Sequence, residues 1–305
     1  MTSDLTWDDL FLHLGILSAG RSKDAKRDVG CVITHNNKIL GVGYNGTPKG
    51  FSDDEVSWDK HGEGIKSKFW TVIHAEENAL TNARDRGYNH LLKHATVYTP
   101  LQPCGKKCAP QLNSAEVKRV VYSKKMSDGL ESMVSNLLLE KQANVEQIPL
   151  NMSGLRTVLD NWYGADLKIA LNPQPDVRKK RENYLSWQEY FTGMAHLIAS
   201  KTMHATVIVN QDNRISDVLY GADLPIQEVA RAKAYASDMP SNTQLEALRD
   251  SGVDNLYVDT KAKLNEQLKE MSIRSFPNPD RKDMIQRIAN EMFTQYQRYT
   301  GIDAR

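Results

Sequence analysis

The hexapeptide Thr6-Trp7-Asp8-Asp9-Leu10-Phe11 returns 180 residues later as Ser186-Trp187-Gln188-Glu189-Tyr190-Phe191. The correspondence continues beyond it. Leu17 aligns with Leu197, Ala19 with Ala199, Arg21 with Lys201 and Ser22 with Thr202. At a slightly shorter offset, Val32-Ile33 aligns with Val207-Ile208, Asn37-Lys38-Ile39 with Asn213-Arg214-Ile215, and Tyr44 with Tyr220. Val97-Tyr98 reads with Leu256-Tyr257. Whatever the first half folds into, the second half is therefore expected to repeat. The domains are expected at 1–172 and 183–305, the second a diverged copy of the first. Asn172-Pro173-Gln174-Pro175 breaks regular structure, so 173–182 reads as a linker. The Arg178-Lys179-Lys180-Arg181 run reads as a solvated charged stretch.

The repeated unit has an α/β pattern. Residues 6–20 place Trp7, Leu10, Phe11, Leu14 and Leu17 at helical spacing, with Asp8 and Asp9 favourable in the first turn. Residues 29–34 and 39–44 read as strands joined by a turn at His35-Asn36-Asn37-Lys38. Residues 45–50 are a loop and 51–70 irregular. A helix is expected from near His74 to Arg86, and strands over 95–99 and 117–122. A short helix is expected to open at Pro103-Cys104, and another to span 127–139. This order implies a mixed sheet with helices on both faces, a three-layer α/β/α fold, duplicated along the chain. Residues 281–298 read as an amphipathic helix with Met284, Ile285, Ile288 and Met292 turned to the core.

Composition narrows the function classes. A length of 305 residues suits two domains of ordinary size. Hydrophobic residues are 40% and charged residues 25%, which supports a packed core and excludes disorder as the main state. Lys+Arg 39 against Asp+Glu 38 excludes a general electrostatic attraction to nucleic acid or anionic membrane. No apolar run approaches the roughly 18 residues of a membrane helix. The acidic start does not read as a secretory signal. Three cysteines exclude a disulfide framework and favour a reducing cytoplasm.

One cluster carries chemistry. His74-Ala75-Glu76 is followed by Pro103-Cys104-Gly105-Lys106-Lys107-Cys108. One imidazole and two thiolates make a three-ligand Zn²⁺ site with a position left for water. Cys104 and Cys108 are expected on one face of a helix's first turn, and His74 and Glu76 at the start of another. Helix N-termini favour thiolates. Zinc in such a site brings the pKa of water to about 7. Glu76, not itself a ligand, is the expected proton carrier. A purely structural zinc ordinarily takes a fourth protein ligand, and none is evident. Cys31 reads as a small buried strand residue. His13 and His94 read as ordinary surface or partly buried histidines; His61 could border the mouth of the site but is expected to have no role.

H-x-E followed by P-C-x-x-C is the pattern of zinc nucleobase deaminases. Further segments come in order: Val29-Gly30-Cys31-Val32-Ile33, Gly43-Tyr44-Asn45-Gly46-Thr47-Pro48-Lys49-Gly50, His74-Ala75-Glu76-Glu77-Asn78-Ala79 and Val120-Val121-Tyr122. Over residues 6–125 the chain resembles the deoxycytidylate (dCMP) deaminase family. The resemblance implies a cytidine-deaminase-like fold and one catalytic Zn²⁺ on His74, Cys104 and Cys108. It implies Glu76 as acid–base in the hydrolysis of dCMP to dUMP, a precursor for thymidylate. Asn45 would bond the deoxyribose. Arg21, Ser22, Lys26 and Arg27 would stand by the phosphate. Ala75 and Thr99 would line the base pocket, and Tyr122 would stack on the ring. The resemblance also implies regulation through the loop of Gly43, Tyr44, Gly46 and Lys49. In the family dCTP with Mg²⁺ activates, dTTP inhibits, and subunits form homo-oligomers. The chain departs from the family in spacing its cysteines Cys-x-x-x-Cys rather than Cys-x-x-Cys. Asp24 stands where some relatives hold a second zinc through cysteine, so no second zinc is expected.

The second copy lacks this set. No cysteine follows Cys108, and neither His196 nor His204 opens an H-x-E. Residues 229–235, where the motif would fall, offer no ligands. Residues 183–305 are expected to complete an interface, hold a regulatory nucleotide or add stability. A trimer of such chains would imitate a hexamer of single domains. Deamination of dCTP or a 5-modified dCMP is the nearest alternative activity. A single-stranded polynucleotide fits less well, because no basic groove with interleaved aromatics is evident.

Overall fold

The computed structural model describes residues 5–59, 67–221, 223, 232–238, 240–258, 272–275 and 278–301. By compactness the chain divides into two units. The first comprises Trp7–Asn151, Ile169–Leu185 and Asn290–Arg305, and the second Met1–Thr6, Met152–Lys168 and Ser186–Ala289.

The first unit runs α1 (Trp7–Ala19), β1 (Gly30–His35), β2 (Lys38–Tyr44), α2 (Lys68–Thr71), α3 (Ala75–Asp85), β3 (Thr96–Leu101), α4 (Cys108–Ser114), β4 (Arg119–Lys124), α5 (Gly129–Leu139) and β5 (Asn144–Gln147). The strands lie in the order β2-β1-β3-β4-β5. β1 pairs antiparallel with β2 and β3, and the remaining pairings are parallel. Asn36 and Asn37 turn the hairpin at φ 48° and 61°, a region Asn tolerates better than most residues. Side chains alternate across the sheet. Cys31, Ile33, Val97 and Val120 join Ala75, Ala79 and Leu80 of α3 and Ala109 and Leu112 of α4 in one buried cluster. On the opposite face Tyr98 meets Phe11 of α1 at 5.1 Å between ring centroids. The result is the three-layer arrangement expected from the element order.

Two glycines bring α3 down onto β2. A Cβ on Gly41 would come within 2.2 Å of the Ala79 carbonyl oxygen, and one on Gly43 within 2.3 Å of that of Ala75. Only glycine permits so close an approach.

The second unit runs α6 (Met152–Tyr163), α7 (Trp187–Thr202), β6 (Ala205–Val209), β7 (Ile215–Tyr220), β8 (Ala232–Ala236), α8 (Asn242–Asp250), β9 (Val253–Val258), β10 (Ser272–Ser275) and the first part of α9 (Asn278–Thr300). Its sheet has the order β10-β9-β8-β6-β7. Its directions match element for element: β6 antiparallel to β7 and β8, the rest parallel. The irregularity of the first hairpin corresponds too, between Ile33 and Thr34 in β1 and between Ile208 and Val209 in β6, whereas the shift between Ala232 and Lys233 has no counterpart in β3–β4. Val32 stands opposite Val42 and Tyr98, and Val207 opposite Val218 and Tyr235. The aromatic packing repeats as well. Trp7 stacks on Phe11 at 5.6 Å and Trp187 on Phe191 at 5.5 Å, while Phe191 meets Tyr235 at 5.2 Å. The counterpart of Tyr98 is therefore Tyr235, and the pairing with Tyr257 read from the sequence is corrected. Tyr257 lies one strand further on, where it stacks on Tyr235 at 4.9 Å.

Three other expectations change. α4 begins at Cys108, so Cys104 lies in the turn before the helix rather than in its first turn. The Arg178–Arg181 run is not solvated throughout, because Arg181 is buried against Asp28 and Glu291. His13 is fully buried, with Nε2 3.0 Å from the Asn151 carbonyl. Met284, Ile285, Ile288 and Met292 are buried on α9, as expected. Among the described residues no helix is long and apolar enough to cross a membrane.

Candidate active site

His74 is the N-cap residue of α3, and Cys108 is the first residue of α4. Neither N-cap residue, His74 or Lys107, makes a side-chain capping bond. α3 is held over β2 by Asn78 and Asn82, whose amides donate to the carbonyls of Tyr44 at 2.8 Å and Val42 at 2.6 Å. Gly105, Lys106 and Lys107 form a turn that absorbs the extra residue between the cysteines. It closes with the Ala109 amide on the Cys104 carbonyl at 2.9 Å and the Cys108 amide 3.4 Å from the Cys104 sulfur.

Three donor atoms converge. His74 Nδ1 lies 3.2 Å from Cys108 Sγ and 3.6 Å from Cys104 Sγ, and the sulfurs are 3.4 Å apart. Ligands of one tetrahedral zinc, at their usual bond lengths, stand about 3.5–3.8 Å from each other. The spacing and the soft donor set both fit a single Zn²⁺. Among the described residues this is the one such group of His, Cys and carboxylate ligands. Glu76 is buried, with a carboxylate oxygen 3.2 Å from Cys108 Sγ. Burial holds its carboxyl above the usual range. The hydrogen bond with Cys104 raises the His74 imidazole. Cys104 is pushed down to about 3, chiefly by its hydrogen bond with Cys108 and then by His74. Cys108 is pushed up by the bond with Cys104 and by burial.

His74 and Cys104 open into a cavity of about 520 Å³. Asn45, Val72, Phe69 and Met126 contribute to its walls, with Lys26, Arg27, Lys68, Lys106 and Lys107 against Asp24, Asp128 and Glu131. The three acids are engaged. Asp24 pairs with buried Lys68 at 2.8 Å, Glu131 accepts from the Gly105 amide at 2.9 Å, and Asp128 caps α5. With Lys68 paired to Asp24 and Lys106 to Glu131, five cations against three carboxylates still leave the lining with net positive charge.

The remaining residues singled out from the sequence fall into two groups. Asn45 lines the cavity, its side chain donating to the Arg27 carbonyl at 2.7 Å and accepting from the Ala75 amide at 2.8 Å. Ser22 is buried beside it and donates to the Asn45 carbonyl at 2.9 Å. Arg27 lines the cavity and is exposed. Arg21, by contrast, is buried, donates to the Leu185 carbonyl and stacks 5.2 Å from the Tyr184 ring. Thr99 and Tyr122 stand opposite each other on β3 and β4, buried and outside the cavity lining. Gly43 is covered by α3, Tyr44 is half-buried, Gly46 pairs with Ile73, and Lys49 is exposed away from the cavity lining. His61 lies outside the described residues. Lys68, Phe69, Lys106, Lys107, Met126 and Glu131 line the cavity without having been singled out. For Lys106 and Lys107 a signal existed, since they stand between the two cysteines.

Residues 5–124 match the family described as the cytidine and deoxycytidylate deaminase zinc-binding region. The deoxycytidylate deaminase of Pongo abelii is 37% identical over 139 residues, which cover 45% of this chain and 75% of that protein. The human deoxycytidylate deaminase is 38% identical over 137 residues, covering 44% and 74%. A solved dCMP deaminase of the cyanophage S-TIM5, in complex with dCMP and dUMP, is 24% identical at a TM-score of 0.34, covering 45% of this chain and 93% of that one.

Proposed function

The chain belongs to the deoxycytidylate deaminase family, and from that premise we propose that it hydrolyses dCMP to dUMP and ammonia, with Zn²⁺ held by His74, Cys104 and Cys108. The observation that carries this reading is the convergence of those three donors at a cavity, with the Glu76 carboxylate 3.2 Å from one of them. Zinc, when bound, supplies a water acidic enough to be used at neutral pH. Glu76 accepts the proton of the attacking water and returns a proton to the amino nitrogen as the C4–N bond breaks. Its buried carboxylate, 3.2 Å from Cys108 Sγ, is placed to carry that proton between the two transfers.

Asn45 keeps one N–H and one oxygen lone pair beyond its bonds to Arg27 and Ala75, and we assign these to the sugar. We assign the phosphate to Lys26 and Arg27, which line the cavity, and not to Arg21, which is buried outside that lining with its guanidinium turned to the Leu185 carbonyl. Control by dCTP with Mg²⁺ and by dTTP, and assembly of homo-oligomers, are part of the same proposal. So is a duplicated origin for the second sheet, supported by its matching topology.

The zinc-replete protein should release dUMP from dCMP, followed by chromatography with and without dCTP–Mg²⁺ or dTTP. Glu76→Gln should lose about 10²–10⁴-fold in kcat while retaining zinc. Retained turnover in that variant would overturn the role of Glu76. Turnover of dCTP or a single-stranded oligonucleotide in place of dCMP would overturn the substrate.

A further inference from the structure

Residues 20–28 run from α1 towards β1 without helix or strand, and they supply Asp24, Lys26 and Arg27 to the cavity wall. An irregular segment orients charge only where other groups fix it. On the cavity side the Asp24 carboxylate accepts from the amides of Lys26 at 3.0 Å and Arg27 at 3.3 Å. On the other side the loop is gripped at Asp28. Its carboxylate accepts from Arg181 at 3.0 Å, from Gln295 at 2.6 Å and from Arg298. The Tyr299 hydroxyl donates to the Asp28 backbone carbonyl. Arg181 reaches further along the loop, its guanidinium donating to the Gly20 carbonyl at 2.6 Å and its amide to the Lys23 carbonyl at 2.9 Å. Glu291 completes the cluster, accepting from Arg181 at 2.8 Å and Gln295 at 2.7 Å. Two guanidiniums face two carboxylates, so the buried group is balanced in charge, although Arg181 Nε and Gln295 Oε1 are left without a hydrogen-bond partner among the described residues.

We propose that Arg181, Gln295 and Arg298 are positioning residues for the substrate loop, acting through Asp28 to keep Lys26 and Arg27 directed at the cavity. All three lie outside residues 5–124, the part of the chain that matches the family. They touch no substrate. The strap 172–185 and the end of α9 thereby serve the site from the side away from the chemistry. The inference rests on the reading that this cavity takes the nucleotide phosphate.

The test uses the zinc-replete 305-residue chain with Arg298→Gln, Arg298→Lys and Tyr299→Phe, which leave the Arg181–Glu291 pair in place. Arg298→Gln should raise KM for dCMP about tenfold while kcat stays within about twofold, and Arg298→Lys should recover most of the loss. Amide hydrogen exchange over 22–28 should rise about tenfold or more in Arg298→Gln, with α3 and zinc content unchanged. Tyr299→Phe should move both in the same direction by less. Unchanged exchange over 22–28, a rise spread evenly over the unit, or a fall in kcat at constant KM would each overturn the proposal. The exchange measurement needs no substrate. A wild-type protein that ignores dCMP would therefore count against the proposed function and leave the clamp to be judged by exchange.

Discussion

Helices α4 and α8 hold the same place in their sheets, each between two parallel strands, but they start differently. α8 opens with a complete capping box, Ser241 on the Gln244 amide and Gln244 back on Ser241. α7 opens with another, formed by Ser186 and Glu189. α4 opens on Cys108 behind Lys107, and α3 behind His74, neither with a side-chain cap. A good cap is worth about 1 kcal/mol. At α3 and α4, whose starts carry the candidate ligands, that stabilisation is forgone; at α7 and α8 it is present. The loops differ in the same sense. In the first unit 51 residues (45–95) lie between β2 and β3 and include α3, whereas 11 (221–231) separate β7 from β8. The two sheets share a frame, and the candidate site lies in the longer of these two connections and at the start of α4.

The largest effect should come from the ligand itself. Cys108→Ser should reduce bound zinc from about one per chain to near zero, read by elemental analysis, with loss of deamination. Zinc retained at full stoichiometry would show that Cys108 is not needed to hold it, and would break the contrast.

A pH titration of stability sharpens a second difference. His13 is buried on α1, where the aligned position of the second copy is Gly193. Burial lowers its imidazole to about 4. Because the folded value lies below the ordinary one near 6.5, its neutral form favours folding above that pH. The contribution is lost as pH falls from 6.5 towards 4, to an extent of up to about 3 kcal/mol. His13→Gln should flatten that part of the denaturation profile between pH 6.5 and 4. An unchanged slope would show that other groups set it.

The smallest effect tests the cap. Ser241→Ala should cost about 1 kcal/mol in chemical denaturation and leave dCMP turnover unchanged. A loss of turnover instead would give α8 a part in the reaction.

Much of this was legible in the sequence because the strong signals are local. The helical spacing of Trp7 to Leu17, the turn at Asn36-Asn37 and the His74…Cys108 spacing each marked a feature within a residue or two of its place. β5 gave no signal, since Asn144-Val145-Glu146-Gln147 is short and polar. It is an edge strand, tied by the Glu146 carboxylate to Arg119 at 2.6 Å on its neighbour. The burial of Arg181 was hidden because its partners Asp28 and Glu291 are 153 and 110 residues away. Tyr98 was matched to the wrong tyrosine because Tyr235 and Tyr257 occupy adjacent strands, and only strand register separates them. Lys68 and Phe69 lie in a stretch whose composition reads as irregular, and a cavity wall of this kind is assembled from distant segments.

The glycines beneath α3 bear on descent. At the registers of Gly41 and Gly43 on β2, β7 carries Asp217 and Leu219. Leu219 is now part of the core of its own unit. A helix lying as near to β7 as α3 lies to β2 would collide with both side chains. A catalytic helix placed there would need its ligands and two small residues at once, each without benefit until the others arrive. On the proposed duplication, loss of the site from one copy would be a ratchet: selection could pass it in one direction through single changes, while packing opposes the way back.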